Sequence, residues 1–272
     1  IYTCHGFYFH ENQGIIWRYI HFLIEFSLSF IQTKTFFVSS EDLIVSSLFM
    51  FRSNKNKYLV KNGCDHKTFY PRVHKNITYA GKKIRFLESD FVIGFVGRMV
   101  EEKGLKILLE SFELLAKECP NMKLLLCGGV LKSDHSSPLI NKIYKLMEEY
   151  RDRIFLTGFI DNIDNFYCAM DVFCLPSFRE GMPTCLIEAM MTDLVTISTD
   201  IRGAREIIIN KNNGFLIPPR NLDALTEVLK DIYFIFEREN SLSTLLKTSP
   251  RKSALELELD LETVVGKYIS NY

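Results

Sequence analysis

Three short segments of the sequence carry side chains suited to binding a phosphorylated ligand. The first, GFVGRMVEEKG at residues 94–104, ends an apolar run at Gly97 and places Arg98 and Lys103 before a predicted helix. Two cations beside a helix N-terminus are suited to a diphosphate, because backbone N–H groups and side-chain charges act on the same anion. The alternative is that both side chains are merely solvated. The spacing is not the G-x-G-x-x-G fingerprint of dinucleotide-binding proteins.

The second segment, SFREGMPTCLIEAM at residues 177–190, contains two carboxylates eight positions apart. Gly181 and Pro183 predict a turn into a helix that begins near Pro183. Glu180 then lies in the loop, and Glu188 lies in the second helical turn on the same face as Thr184. This arrangement suits phosphate and sugar hydroxyls. The residue types fit equally well with Glu180 as a helix cap and Glu188 as an exposed surface acid.

The third segment is TGFIDNIDNFY, residues 157–167, which follows another apolar run. Asp161 or Asn162 is suited to capping the helix that comes next. The backbone groups of the same loop could also receive a planar base.

These segments lie between apolar runs and helix-period segments that alternate from Phe91 onward. Leu105, Leu108, Phe112 and Leu115, for example, fall on one helical stripe. Such repeats predict an α/β fold with a parallel, doubly wound sheet, whose ligands bind beyond the carboxyl ends of the strands. The predicted strands are FVIGFVG, MKLLLCGG, RIFLTG, DVFCLPS, LVTIST and GFLIP, and the predicted helices are GLKILLESFELLAKE, PLINKIYKLMEEY, IDNFYCAM, PTCLIEAMM, Gly203 to Ile209, and NLDALTEVLKDIYFIF.

The residues before Phe91 predict the closing part of another α/β unit, and the two units suggest a hinge. TFFVSS and KYLVKNG are typical of strands, EDLIVSSLFMF of a helix, and GCDHKTFYPRVHKN of a turn-rich linker. The segment IIWRYIHFLIEFSLSFI, interrupted by charged residues, is not a membrane span. We expect a core-packed helix there, the alternative being one that lies on a membrane surface. LDLETVVGKYISNY, at the end, predicts one more helix.

Charge and cysteine content narrow the function classes. The 33 basic and 33 acidic side chains cancel, so the net charge gives no reason to expect nucleic acid as a partner. Between Arg52 and Arg85, however, ten Lys or Arg accompany the single acid Asp65. We expect a solvated face, and the alternative is a patch that contacts anionic lipid or guides an anionic substrate. Seven cysteines without C-x-x-C fit neither a disulfide framework nor a zinc site, which favours the cytoplasm. The start at Ile1 suggests that a segment precedes it.

Five segments together resemble the family 4 glycosyltransferases of the GT-B fold, especially those that build bacterial exopolysaccharide, capsule or O-antigen. Each motif is loose by itself, but five in this order and spacing are highly specific. The resemblance covers nearly the whole chain, including HGFYFHENQGIIWRY, which is similar to the end of the family's N-terminal domain. The five segments are FVGRMVEEKG, LTGFIDN, REGMPTCLIEAM, TDIRGAREII and NNGFLIPPRN.

The resemblance implies catalytic roles for four residues. Arg98 and Lys103 correspond to the pair that contacts the donor diphosphate. Glu180 corresponds to the acid beside the donor sugar, and His5 to the N-domain histidine that reaches this sugar across the cleft.

The resemblance also implies how the rest of the donor is bound. Glu188 corresponds to the acid that holds the ribose hydroxyls, while Phe159 and Ile160 occupy the position of the base-binding loop. The backbone positions implied around the sugar and phosphate are Gly97, Gly181, Met182 and Thr184.

A member of this family is expected to be a retaining hexosyltransferase with two Rossmann-like domains, of which the N-terminal one is incomplete here. The expected boundaries are residues 1–78 for that remnant and linker, 79–250 for the nucleotide-sugar domain, and 251–272 for a helix returning to the N-terminal domain. The expected co-substrate is a nucleotide sugar, in particular a UDP-sugar, with no metal or other cofactor. The expected acceptor is a glycan, in particular a lipid-linked one at the inner face of the cell membrane.

Two other interpretations stay open. One is a non-catalytic donor-binding remnant or a regulatory partner of an assembly complex, and the other is a sugar-nucleotide epimerase of similar architecture. The absence of a dinucleotide fingerprint disfavours a nicotinamide oxidoreductase. Thr192, Asp193 and Leu194 depart from the small residue, glycine and proline usual after the EAM stretch, which predicts an altered turn there.

Overall fold

A computed structural model of the protein describes residues 1–7, 9, 14–49, 56–79, 82–131, 134 and 137–271. The strands are β1 (Tyr2–Cys4), β2 (Thr35–Phe37), β3 (Lys57–Leu59), β4 (Asn76–Tyr79), β5 (Lys82–Arg85), β6 (Phe91–Val96), β7 (Met122–Cys127), β8 (Ile154–Gly158), β9 (Val172–Leu175), β10 (Val195–Thr199) and β11 (Phe215–Ile217). The helices are α1 (Ile15–Ser29), α2 (Ser40–Phe49), α3 (Leu105–Leu115), α4 (Ser137–Glu149), α5 (Asp164–Tyr167), α6 (Thr184–Met191), α7 (Leu222–Glu239), α8 (Pro250–Glu256) and α9 (Leu261–Asn271).

The larger sheet is parallel, with strand order β11-β10-β9-β6-β7-β8. The chain starts at the centre with β6, moves outward to β8, and returns to place β9 on the other side of β6. The predicted doubly wound sheet is therefore confirmed, and the strand order reverses between β6 and β9. Crevices at such reversals, outside the carboxyl ends of the strands, bind ligands in open α/β sheets. We call this sheet and its helices the C-terminal unit.

The core of the C-terminal unit follows from its apolar patterns. Parallel strands with both faces covered contain nearly continuous apolar runs, and five of the six residues of β6 are buried. The predicted stripe of α3 is also buried, as is Tyr233 of α7, whose ring lies 5.6 Å from Phe91. The sheet is thus anchored by helices that present the stripes read from the sequence.

A second parallel sheet, with order β1-β2-β3, forms the N-terminal unit together with α1 and α2. Its strands have only three residues each, and Phe36 and Phe37 on β2 are almost completely buried. The ring of Tyr268 on α9 packs 4.7 Å from that of Phe36. The last helix of the chain therefore contacts the N-terminal unit.

Helix α1 packs against the small core of the N-terminal unit through Phe22, but most of its apolar side chains are exposed, so our expectation of a core-packed helix is confirmed only in part. Trp17 is 62% exposed and Ile16 72% exposed, whereas the buried residues of the helix are Glu25 and Ser29. Apolar periodicity predicts that a helix has an apolar face but not which neighbour covers it. No helix among the described residues is long and apolar enough to cross a bilayer.

Two further segments differ from the sequence-based predictions. An antiparallel hairpin, β4 with β5, follows the predicted linker and was not anticipated, although Ile77 and Ile84 pair across it. The segment from Gly203 to Ile209 forms turns and not a helix. Gly203 has a φ of +70°, which leaves the helical region, and Asn213 accepts from the Ile209 N–H at 2.7 Å and so ends the turns.

The basic segment between Arg52 and Arg85 is not a fully solvated face, because several of its cations are already paired with carboxylates. Among the residues described there, Lys67, Arg72 and Lys75 form ion pairs with Glu262, Asp164 and Asp171 respectively. The Lys75–Asp171 distance is 2.8 Å, and both side chains are largely buried. Part of this charge therefore connects the segment to the C-terminal unit and to α9.

Candidate active site

The candidate site lies where the loop after β6 meets the loop after β9, at the strand-order reversal. Gly104 has a φ of +69°, and a Cβ atom there would lie 1.8 Å from the Pro176 carbonyl oxygen. The Phe178 N–H donates to the Glu102 carbonyl at 2.8 Å. The two loops are therefore held together by backbone contacts that only glycine at position 104 permits.

Lys103 and Glu180 are brought together by these loops. Lys103 Nζ lies 2.6 Å from Glu180 Oε1, and the side chains are only 20% and 12% exposed. Helix α6 has Pro183 as its N-cap and no side-chain cap hydrogen bond, so the alternative of Glu180 as a helix cap is wrong. A low-exposure cation and carboxylate thus lie side by side at the carboxyl edge.

Arg98 lies at the same edge but does not share a partner with Lys103. Its Nη1 donates to Asp134 Oδ1 at 2.8 Å, with Arg98 44% exposed and Asp134 only 6% exposed. Asp134 Oδ2 in turn accepts from the Leu131 N–H at 2.8 Å, which fixes the carboxylate. Sequence reasoning missed Asp134, because nothing in its own segment signals a partner in the loop after β6.

Glu188 is held by a buried tyrosine and is not the exposed surface acid of our alternative interpretation. Tyr167 donates its hydroxyl to Glu188 Oε2 at 2.8 Å, and this hydroxyl also lies 3.0 Å from the Cys185 carbonyl oxygen. Burial raises the pKa of Glu188, while the Tyr167 hydrogen bond lowers it in part. Burial also raises the pKa of Tyr167 well above its ordinary value. Tyr167 was not singled out from the sequence.

The N-terminal unit reaches the site at the end of β1. A Cβ atom on Gly181 would lie 1.9 Å from the His5 carbonyl oxygen, and one on Gly6 would lie 3.0 Å from Gly181 Cα. Gly203 approaches Gly181 from the other side, since its Cβ would lie 1.8 Å from the Gly181 carbonyl oxygen. The backbones of His5, Gly181 and Gly203 therefore pack directly together next to Glu180.

The start of α6 is fixed from the N-terminal unit as well. Asn62 donates its side-chain amide to the Met182 carbonyl at 2.6 Å, and the Met182 side chain is buried. Thr184, the first residue of α6, is exposed. The first N–H groups of a helix have no intrahelical acceptor, so this end of α6 offers donors to an anion.

The loop after β8 presents an aromatic side chain at the same edge. Phe159 is 59% exposed, and its ring lies so close to Gly129 that a Cβ there would be 2.9 Å from it. The neighbouring Ile160 is half-buried. Helix α5 has Ile163 as its N-cap without a side-chain hydrogen bond, so the predicted cap by Asp161 or Asn162 is wrong.

The backbone of Gly97 connects two of these loops. Its N–H donates to the Cys127 carbonyl at 2.9 Å, and a Cβ on Gly128 would lie 1.9 Å from the Gly97 carbonyl oxygen. Six of the seven cysteines, Cys185 excepted, are buried. Within the described ranges, no group of three or more His, Cys, Asp or Glu could hold a metal ion.

The described parts therefore combine two cations, three carboxylates and a helix N-terminus at one sheet edge, opposite the end of β1. Comparison with known protein families gives a match to the glycosyl transferases group 1 model over residues 79–242. This region contains β6 to β11 and all of the candidate residues except His5.

Curated relatives and solved structures agree with this match. A capsular polysaccharide biosynthesis glycosyltransferase, CapM of Staphylococcus aureus, is 28% identical over 85% of this chain and 60% of its own. A UDP-Gal:alpha-D-GlcNAc-diphosphoundecaprenol alpha-1,3-galactosyltransferase of Escherichia coli is 25% identical over 84% of this chain and 58% of its own. The chain thus spans about 60% of the length of these relatives.

Two solved structures share the fold. Sucrose-phosphate synthase of Thermosynechococcus elongatus superposes with a TM-score of 0.77 at 19% identity, covering 98% of this chain and 65% of that one. Anabaena HepE, solved in complex with UDP and glucose, gives a TM-score of 0.75 at 17% identity, covering 100% of this chain and 71% of that one. The fold is GT-B, with two Rossmann-like units.

Proposed function

Because this chain belongs to the glycosyl transferases group 1 family, we propose that it is the donor-binding part of a retaining hexosyltransferase that uses a nucleotide sugar. The acceptor in this proposal is a glycan, in particular a lipid-linked one, in surface polysaccharide synthesis. The observation that carries the proposal is the Lys103–Glu180 pair beside Arg98 at the strand-order reversal. The activities of the two curated relatives support it.

The donor diphosphate binds between Arg98, Lys103 and the N-terminus of α6 in this proposal. Both cations already have carboxylate partners, Asp134 and Glu180, so an entering diphosphate exchanges one set of ionic contacts for another. Binding of the diphosphate adds little desolvation cost, because the side chains of Arg98 and Lys103 are already partly withdrawn from water. In the transfer step the same charges stabilise the departing nucleoside diphosphate, and no metal ion is required.

The nucleoside is bound on the other side of the diphosphate. Glu188 accepts the ribose hydroxyls, and Tyr167 fixes its orientation. The base lies at Phe159 and Ile160, and the UDP bound to HepE supports uracil as this base. The backbone groups of Gly97, Gly181, Met182 and Thr184 surround the phosphate and sugar.

Transfer takes place between the two units. Glu180 and His5 contact the donor sugar from opposite sides, while the acceptor hydroxyl attacks from the face that the diphosphate leaves and gives its proton to that group. Excluding water from the closed cleft limits hydrolysis of the donor. The units in this proposal are residues 1–78, 79–250 and 251–272, in the cytoplasm.

Calorimetry with UDP-, GDP- and ADP-sugars tests the proposal. The variant Arg98→Ala with Lys103→Ala is expected to lose about 100-fold or more in affinity, because each charge-assisted hydrogen bond contributes about 1.5–3 kcal/mol. Lys106→Ala is the matched control, since Lys106 is 62% exposed on the next turn. Equal affinity in the double variant, or no binding to a folded wild-type chain, contradicts the proposal.

Product analysis separates the alternatives. Incubation with the bound donor and a lipid-linked glycan is expected to give a new α-linked product if the donor is α-linked. Conversion of the free donor into its epimer identifies an epimerase instead. Donor binding without any product supports the donor-binding remnant or a regulatory partner.

Peripheral contact with an anionic membrane is also part of the proposal. The exposed apolar face of α1, with Trp17, Tyr19 and the cation Arg18, supports it. Co-sedimentation with vesicles of phosphatidylcholine, with and without phosphatidylglycerol, checks this. We expect the anionic lipid to increase binding, and the variant Trp17→Ser with Ile20→Ser to lose it. If the chain sediments equally with and without vesicles, membrane contact is ruled out.

A further inference from the structure

The loop after β10 connects the two units through charged side chains that the proposed function does not use. Arg202 Nη1 donates to Asp42 Oδ1 at 2.8 Å, and the Asp42 side chain is completely buried while that of Arg202 is 13% exposed. A buried carboxylate needs a counter-charge, because an unpaired ion is strongly disfavoured away from water. Asp42 of the N-terminal unit thus depends on Arg202 of the C-terminal unit.

Glu206, four residues later, caps a helix of the opposite unit. Its carboxylate accepts the backbone N–H groups of Ser40 and Glu41 at 2.9 and 3.3 Å, and the hydroxyl of Ser40 at 2.7 Å. The Ser39 hydroxyl also donates to it. Burial would raise the pKa of Glu206, but these hydrogen bonds outweigh burial and lower it. Glu206 therefore serves α2 as a charged N-terminal partner.

Gly203 transmits the position of this loop to the candidate site. It lies between Arg202 and Glu206 in sequence, and its Cα is so close to the Gly181 carbonyl oxygen that no Cβ fits. Gly181 in turn contacts the His5 carbonyl oxygen. A displacement of the loop away from α2 would therefore change the contact between Gly203 and Gly181, and through it the support of Gly181 next to His5.

We propose that Arg202 and Glu206 are positioning residues, which hold the Glu180–Gly181 loop against His5 through Asp42, Ser39 and Ser40. We call these five side chains the interunit clasp. The proposal rests on the proposed function, since it assigns the contact between His5 and Gly181 to donor-sugar binding. It accounts for Arg202 and Glu206 of the TDIRGAREII segment, which the donor itself does not contact in that proposal.

The first test measures amide hydrogen exchange in the full chain without ligand. In Glu206→Ala, and in Asp42→Asn with Arg202→Gln, exchange of residues 2–7 and 178–186 is expected to become about tenfold faster. The paired variant removes both charges and so leaves no uncompensated buried ion if the single variants fail to fold. The controls Arg238→Ala and Glu256→Gln remove exposed charges elsewhere.

Unchanged exchange at residues 2–7 and 178–186, with faster exchange confined to residues 40–46, would mean that the clasp only caps α2. That outcome overturns the proposal. This readout needs no donor, so it remains informative if the proposed function fails.

The second test adds the donor that calorimetry identifies. In the wild-type chain, donor binding is expected to slow exchange both at residues 98–104 and at residues 2–7. In the clasp variants it is expected to slow exchange at residues 98–104 alone, because the diphosphate contacts remain while the contact with His5 is lost. Protection of both segments in the clasp variants contradicts a positioning role. Loss of protection at both segments overturns the proposal as well, because the clasp would then be needed for the diphosphate contacts.

Discussion

Lys103 and Glu180, from loops that follow neighbouring strands of one parallel sheet, form an ion pair with 2.6 Å between Nζ and Oε1. The pair occupies the strand-order reversal and is mostly shielded from water. A phosphate group that approaches Lys103 therefore competes with a carboxylate already in contact with it.

Glu180→Gln is expected to bind UDP more tightly than the wild-type chain and to transfer sugar more slowly. The substitution removes the negative charge that both neutralises Lys103 and repels a diphosphate, while the proposed contact with the donor sugar is weakened. We expect a gain of about threefold or more in UDP affinity, or ~0.7 kcal/mol, by calorimetry. Glu101→Gln, which removes an exposed carboxylate from the loop that carries Lys103, serves as the control. Weaker UDP binding in Glu180→Gln contradicts the competition.

Gly181→Ala is expected to destabilise the chain by about 1–3 kcal/mol, the usual cost of overpacking. The new Cβ would lie 1.9 Å from the His5 carbonyl oxygen, so the two units must separate. Urea unfolding followed by circular dichroism measures the change. The control is Gly266→Ala in α9, where nothing lies within 4 Å and the substitution is expected to stabilise by ~0.5–1 kcal/mol. Equal stability of the two variants means that the backbones are not in contact.

Donor affinity is expected to fall as the pH is lowered through the raised pKa of Glu188. In the proposed function the Glu188 carboxylate accepts hydrogen bonds from the ribose hydroxyls, and protonation removes its charge. Protonation at the same time favours folding, since a raised pKa means that the folded state holds the proton more tightly than the unfolded state. Tyr167→Phe removes a hydrogen bond that lowers this pKa, so the midpoint moves to higher pH. Calorimetry across the acidic range measures it. In Glu188→Gln the dependence disappears, and its persistence there assigns it to another group.

Arg153→Met is expected to reduce the stability of the C-terminal unit by about 2–4 kcal/mol, because three carbonyl oxygens lose the guanidinium as a donor. The Arg153 guanidinium donates to Ala116, Cys119 and Met122 at 2.9, 2.7 and 3.0 Å. The Cys119 carbonyl keeps its second donor, the Met122 N–H at 3.2 Å. Thermal unfolding measures the loss. The exposed neighbour Arg151 provides the control, as Arg151→Met. A shift in melting temperature shared by both variants would point to net charge and not to these hydrogen bonds.

The sequence predicted the elements of the C-terminal unit better than the contacts between its loops. The stripe of α3 and the buried run of β6 are local patterns, so their period and composition were sufficient. The pairing of Lys103 with Glu180 depends on the chain returning beside β6 after β8, which no local pattern encodes. The same holds for Arg98, whose partner Asp134 lies in the loop that follows another strand.

The sequence-based predictions fail where contacts with distant segments determine the conformation or the burial of a segment. The apolar composition of α1 predicted a helix packed on the core, but its buried residues are Glu25 and Ser29, and only a small part of its apolar surface, at Phe22, contacts the core. The segment from Gly203 onward has helical composition at Ala204 and Arg205, yet the approach to Gly181 requires Gly203 in a left-handed conformation. The roles assigned to the site residues stay predictions until a donor is bound.

The exposure of α1 makes the chain its own optical probe. Trp17 is the single tryptophan of the sequence, so all of the indole fluorescence comes from one point on this helix. With 62% of the residue exposed to water, the emission maximum of the isolated chain should lie at long wavelength. A protein, lipid or second copy that covers α1 would move it to shorter wavelength, and a titration would yield the affinity without any label.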